Sequence, residues 1–405
     1  MGQKLNYCFV FFTLISATLY GQLFPSQDWS GFDTFGCIDS NYVLVFSDEF
    51  NGTEIDTQKW FTKYPYDAPA DRLTGGNQVF LDENVWLDNG FAYIRSKIES
   101  YTYMGETRPQ TTGVIHSKLE RRNKFQYGIF EMRAKVPIAD GFWPAFWMYG
   151  WCANEIDIFE LSNKDNVYRM DIHTQVPCGE DHERMPEKVK LPFNISDDFH
   201  TYKLIWTPFK LIWAIDDIPY RTTYKYYRRT LFGWRGVECS EIEVLGKKNV
   251  WKSQVFPFYD LDLIMSGGFG NATTGYGNLP IKPQEFPIDF IIDYIRVYQN
   301  IGIDEIAGQE NLWSDQFYNF YLKGDLKVKN LKWECSKNLY LLEGSKNNIL
   351  VGVSNSTTKE AWIKCTFMGK FGPIELKKSL NVLNSQSFAR SAGGSKRIFR
   401  FPSFN

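Results

Sequence analysis

The chain has four histidines in 405 residues, and no histidine–cysteine pattern among them has the spacing of a zinc site. Charge of one sign is not in excess. With 45 basic and 47 acidic side chains the net charge is −2, so there is no global field to hold nucleic acid or an anionic membrane surface. No heptad, phosphate loop or dinucleotide fingerprint occurs, and no internal repeat spans the chain. Long apolar runs are missing too, apart from one near the start, Tyr7 to Leu19, which is too short to span a bilayer comfortably. What the chain does have is aromatic side chains, 17% of all residues, including 13 Trp and 23 Tyr. Sugar rings present C–H faces that pack on such rings, so this composition suits a carbohydrate ligand.

The early apolar run follows Lys4 and ends before the small Gly21, the charge, length and exit site of a secretory signal. Residues 1–21 are therefore expected to be a signal peptide, and the mature chain to be secreted, extracellular or at the cell surface. Without Cys8, six cysteines remain: Cys37, Cys152, Cys178, Cys239, Cys335 and Cys365. In an exported protein they can pair, although spacing does not give the connectivity. Cys335 with Cys365 is one local pairing considered; Cys152 with Cys178 is another. A monomer is expected, with no nucleic-acid partner and no membrane span.

Six consecutive residues, Glu155-Ile156-Asp157-Ile158-Phe159-Glu160, set three carboxyls into an apolar alternating run. On a strand Glu155 and Asp157 share a face, and Glu160 joins them only if one extra residue is inserted. A β-bulge at Ile158-Phe159 supplies that residue. Like charges side by side on a sheet are destabilising, so a structural role gives no reason for them. Cleavage of a glycosidic bond does, since it needs two carboxyl groups flanking the bond, about 5–5.5 Å apart when configuration is retained. The competing reading is an exposed strand with acidic decoration.

The neighbouring segments bear on that choice. Phe125-Gln126-Tyr127-Gly128-Ile129-Phe130-Glu131-Met132-Arg133-Ala134-Lys135-Val136-Pro137, then Gly141-Phe142-Trp143-Pro144-Ala145-Phe146-Trp147-Met148, then the acid run, resemble glycoside hydrolase family 16. Phe46-Ser47-Asp48-Glu49-Phe50-Asn51-Gly52, Trp60, His200-Thr201-Tyr202, Trp206-Thr207-Pro208 and Ile292-Asp293-Tyr294-Ile295-Arg296-Val297-Tyr298 extend the resemblance over about residues 42–299. It implies an all-β, concanavalin-like jelly-roll sandwich with a polysaccharide cleft. It also implies roles: Glu155 as nucleophile, Glu160 as general acid/base, and Asp157 as the residue that tunes them. The six-residue form looks like the laminarinase, agarase and carrageenase branches.

By the same resemblance Trp143 and Trp147 line the donor side of the cleft, with sandwich core as the alternative for both and for Trp151. His173, on the next strand, is either a cleft residue or a structural donor, and Asn77 matches a polar cleft-edge position. No cofactor is expected for catalysis. A structural calcium ion is implied at Glu49 and Asp293, against the alternative of a strand-end ion pair with Arg296 or a lysine. Between Tyr220 and Pro257 an insertion interleaves basic and aromatic residues, suited to anionic sugars if it overhangs the cleft and otherwise a surface loop.

After Tyr298 the composition shifts toward Lys, Asn and Ser, with short alternating runs at Leu326–Val328, Ile349–Val353 and Ala361–Cys365. Turn residues separate them at the spacing of a small β-sandwich, and Trp333-Glu334-Cys335 with Glu360-Ala361-Trp362-Ile363 resembles immunoglobulin-like modules appended to secreted bacterial enzymes. The expected plan is a catalytic domain over residues 22–300 and an accessory domain with a tail over 301–405. The expected activity is retaining endo-hydrolysis of a β-linked polysaccharide, β-1,3-glucan (laminarin) or mixed-linkage β-1,3(4)-glucan. Red-algal galactans (agar, porphyran, carrageenan) are the alternative substrates, and a non-catalytic carbohydrate-binding jelly roll is the alternative class.

Overall fold

The protein is described from a computed structural model covering residues 42–64, 71–117, 124–175, 178–179, 182–245, 249–270, 277–314, 316–324, 328–342, 348–354 and 360–383. The expected signal peptide, Cys37, Leu326, Lys327 and the basic tail from Ser385 lie outside these residues. The described chain is built almost wholly of antiparallel strands, and its architecture is the expected jelly-roll sandwich.

One sheet runs in the order Ile218–Tyr224, Lys210–Ile215, His200–Trp206, Gly128–Lys135, Ile288–Gln299, Phe91–Ser96, Val85–Asp88, with Val43–Asp48 also paired to Ile288–Gln299. Facing it is a second sheet in the order His182–Arg184, Val167–Gln175, Glu155–Glu160, Ala145–Gly150, Leu261–Ser266, Val114–His116, with Glu187–Lys190 also on Val167–Gln175. Alternation decides which side chains meet between them. Along Gly128–Lys135 every second residue is buried, so Phe130, Met132 and Ala134 face inward. From the second sheet Phe146, Met148, Ile156, Ile172, Leu263 and Met265 face them, all buried. The opposite face of the second sheet is left for polar and aromatic groups.

The insertion is folded rather than loose. Tyr226–Thr230, Gly233–Gly236 and Trp251–Lys252 form a three-stranded sheet, followed within it by the helix Cys239–Leu245. Tyr226, Val237, Ile242 and Val250 make its own small core with Phe209. Two of its basic residues are committed to the fold. Arg221 is buried over the Trp213 ring and donates to the Met170 and Met185 carbonyls at 2.9 and 2.6 Å. Arg235 pairs with Glu241 at 3.1 Å.

Beyond Gln299 two four-stranded sheets follow. One orders Ile303–Ala307, Phe317–Gly324, Asn348–Val353, Leu339–Leu341; the other orders Asn311–Trp313, Pro373–Leu383, Glu360–Met368, Lys329–Cys335. Two of the expected strand runs fall inside strands; Val328 stands just before one. Phe371 docks this part on the jelly roll, with ring centroids 4.6 Å from Phe125 and 6.3 Å from Phe46.

The pairing of Cys335 with Cys365 is corrected by the structure: both are free thiols. Cys335 stands opposite Ile363 and Cys365 opposite Trp333, so the two are diagonal neighbours rather than partners in register, a poor geometry for a bridge. Cys152 and Cys178 are bonded to each other, and Cys239 is also in a disulfide.

Candidate active site

The Glu155–Glu160 strand lies between Ala145–Gly150 and Val167–Gln175. Its register with Ala145–Gly150 steps from Phe146 opposite Phe159 to Trp147 opposite Asp157, leaving Ile158 as an extra residue. The other neighbour steps in the same place, between Asp157 and Glu160. This bulge sends both Ile158 and Phe159 into the core, where Phe159 lies 4.6 Å from the Tyr202 ring of the facing sheet. Glu160 thereby returns to the side that holds Glu155 and Asp157. The bulge also breaks the ladder, and the Trp213 indole, reaching across the core, donates to the Asp157 carbonyl at 2.9 Å.

On the open face the three acids meet a chain of partners. Carboxylate oxygens of Glu155 and Asp157 and a ring nitrogen of His173 all lie within 4.8 Å of one another. His173 Nε2 stands 3.2 Å from Asp157 and 3.3 Å from Asp171. Its other ring nitrogen is 3.1 Å from Nε2 of His182, whose ring lies nearly parallel to its own. Arg184 closes the chain on Asp171 at 3.0 Å. Above Glu160, the Trp143 indole N–H donates to the carboxyl at 3.0 Å. Trp147 is half-buried beside Tyr149 and Tyr64, its indole N–H 3.3 Å from Ser266 Oγ.

Burial pushes the Glu160 carboxyl well above its ordinary range, and the negative charges of Asp157 and Glu155 push the same way. Glu155 is raised to about 8, by burial first and by Asp157 second, with the His173 imidazolium opposing. Asp157 is also raised by burial, against the pull of His173. For His173, burial favours the neutral ring, but contact with Asp157 and Asp171 and the charge of Glu155 outweigh it and lift its pKa to about 11. Burial would likewise raise Asp171, yet His173 and Arg184 hold it below the carboxylate norm. His173 is thus a fixed cation among acids. Glu155, Asp157 and His173 form an ion-paired cluster on the open face.

The remaining expected site residues have partners of their own. Asn77 is half-buried and donates to the Gly270 carbonyl at 3.1 Å, bracing a loop. Glu49 and Asp293 belong to the other sheet and its edge. Glu49 is gripped at both oxygens by Arg296, at 2.8 and 2.7 Å, and Asp293 by Arg133. A calcium ion there would have to displace a guanidinium from each carboxylate. Asp171, His182, Arg184 and Ser266 were not singled out from the sequence. Asp171 was within reach, two residues before His173 on one strand and therefore on the same face. His182 and Arg184 depend on where the chain turns back after Gln175.

Comparison with known proteins places the chain in a family. The model of glycosyl hydrolases family 16 matches residues 82–233. A beta-glucanase of Rhodothermus marinus is 30% identical over 281 residues, 64% of this chain and 86% of that protein. A glucan endo-1,3-beta-glucosidase A1 of Niallia circulans is 27% identical over 282 residues, but the chain spans only 38% of its length. Among solved structures, the catalytic domain of an endo-1,3-beta-glucanase (laminarinase) from Thermotoga petrophila superposes with a TM-score of 0.50 at 26% identity, covering 65% of this chain and 99% of that one. Jelly roll, bulged acid strand and relatives converge: the chain is a glycoside hydrolase and belongs to glycosyl hydrolase family 16.

Proposed function

We propose that the protein is a secreted, retaining endo-β-glucanase acting on β-1,3-linked or mixed-linkage β-1,3(4)-glucan. The observation that carries this reading is the bulge that returns Glu160 to the face holding Glu155, with its carboxyl held in the protonated form that an acid catalyst needs. Glu160 donates a proton to the leaving oxygen while a Glu155 oxygen bonds to the anomeric carbon and the glycosidic bond breaks. Glu160, now ionised, then takes a proton from water as that water displaces Glu155 and restores both carboxyls. Asp157, held by His173, stabilises the arrangement of charge between them. The named activities of the glucanase relatives support the polymer class.

The same reading takes residues 1–21 as a cleaved signal, residues 22–300 as the catalytic domain, and 301–405 as an immunoglobulin-like accessory module with a tail. The acid strand belongs, on this reading, to the bulged laminarinase-like branch. β-Linked galactans are the second substrate class, favoured by one relative, a keratan-sulfate endo-1,4-beta-galactosidase of Sphingobacterium multivorum, 26% identical over 281 residues. Reducing-end release on laminarin, mixed-linkage glucan, agarose, porphyran and carrageenans, with Glu155→Ser as blank, separates the readings. Cleavage of either glucan with retained anomeric configuration is expected. Cleavage of galactans alone would move the substrate assignment, and silence on every polymer would leave a binding protein.

A further inference from the structure

Trp151 is 68% exposed, the most exposed tryptophan among the described residues. Alternation along Ala145–Gly150 places Ala145, Trp147 and Tyr149 on the face that bears the acids, opposite Glu160, Asp157 and Glu155 in turn. Gly150 is still extended, with φ −162° and ψ −155°, so the next residue leaves the strand on that same side. The chain then turns within Trp151–Ala153 and re-enters the sheet at Glu155.

That turn is held far more firmly than a surface connection requires. Cys152 and Ala153 both take left-handed backbone angles, φ 57° and 45°, which side chains other than glycine adopt only when their surroundings force them. Cys152 is tied to Cys178, beyond the strand that carries His173. Asn154, fully buried, donates to the Trp151 carbonyl at 3.2 Å and accepts from the Phe258 N–H at 3.2 Å. A strained, cross-linked and hydrogen-bonded turn that presents a bare indole four residues before Glu155 is a built platform, continuous with the aromatic row of Trp147 and Tyr149.

We propose that Trp151 is a stacking subsite for a pyranose ring of the bound polymer, at the end of the acid face beyond Glu155. The inference rests on the glycosidase reading but not on the linkage or the sugar, because indole stacks on the C–H face of any equatorially linked hexopyranose. An indole with one exposed face gives a ring a flat apolar surface at little entropic cost, since only two side-chain torsions need ordering. A ring held there adds to binding of long chains and nothing to the shortest ones, so the effect is one of chain length.

The test uses the full chain and whichever polymer the unmodified protein cleaves. KM is measured over an oligosaccharide length series for the unmodified chain, Trp151→Ala and Trp151→Phe. Affinity for the longest oligosaccharide is measured by calorimetry for Glu155→Ser with and without Trp151→Ala. Trp151→Ala should raise KM for long chains about fivefold to tenfold and weaken affinity alike, with Trp151→Phe recovering part of the loss. Equal KM and equal affinity at every length would overturn the proposal. Cleavage of galactans instead of glucans would overturn the substrate assignment alone, leaving the Trp151 ratios to be read on the galactan, whereas no binding or cleavage of any polymer would overturn both.

Discussion

Replacing His173 with glutamine removes a cation in contact with both Asp157 and Asp171 on the open face while keeping a polar group of similar reach. With its pKa lifted to about 11, His173 is charged throughout the range in which a glycosidase would be assayed, so the variant deletes a full positive charge at every relevant pH. The contacting atoms of Glu155, Asp157 and His173 all lie within 4.8 Å of one another, and unit charges at that separation with an effective dielectric of about 20 interact by about 3.5 kcal/mol, about two and a half pH units. Water and the remaining acids rearrange around the missing charge, so the shift that is read is smaller. The sign follows from which form the imidazolium favours. It stabilises ionised Glu155 and Asp157, so without it both hold their protons to higher pH, and the nucleophile ionises later. The acidic limb of the kcat/KM profile should therefore move up by about one to two pH units, and activity near pH 6 should fall at least about tenfold. The assay is a pH–rate profile from pH 4 to 9 beside a melting curve that shows the variant folded. An unshifted acidic limb in a folded His173→Gln protein would refute the charge argument.

Three further outcomes follow from the same geometry. Glu160, Glu155 and His173 all bind protons more tightly in the folded chain than free, so their contribution to stability is complete at low pH and is lost as pH rises from about 4.5 toward 11. The melting temperature should fall between pH 5 and pH 9, and Glu160→Gln should flatten that fall while cutting kcat about a hundredfold or more; a steeper fall in the variant would contradict the linkage. Phe159→Ala, emptying a buried site against Tyr202, should cost about 3–5 kcal/mol, lowering the melting temperature by about 6–20 °C, and should also reduce kcat because the bulge that aims Glu160 loses its anchor. Full activity with an unchanged melting temperature would show that the bulge holds itself. Cys152→Ser with Cys178→Ser, opening a crosslink 26 residues apart, should cost about 3–4 kcal/mol, read by denaturant unfolding, and no loss would mean the turn is held by Asn154 alone.

How much of this was visible in the chain differs from residue to residue. The spacing of Glu155, Asp157 and Glu160 already demanded a strand with one inserted residue, because alternation has a period of two and no other local geometry puts all three acids on one face. Trp143 and His173 shared segments with recognisable neighbours, so they were named early. Asn77 was named too, and its amide donates to the Gly270 carbonyl.

The amino-acid order by itself determined the β architecture, the acid strand and the aromatic surroundings, since each is a matter of period and composition within a short stretch. Only the tertiary structure decided what each charge is paired with. Arg296 took Glu49 and Arg133 took Asp293; His182 and Arg184 arrived beside His173 and Asp171 from a returning strand. Register left Cys335 and Cys365 diagonal and unbonded while Cys152 met Cys178. The physical reason is the same in each case. Alternation is a property of neighbours along the chain, whereas charge pairs and disulfides form over a few ångströms between segments whose registry is settled by core packing as a whole.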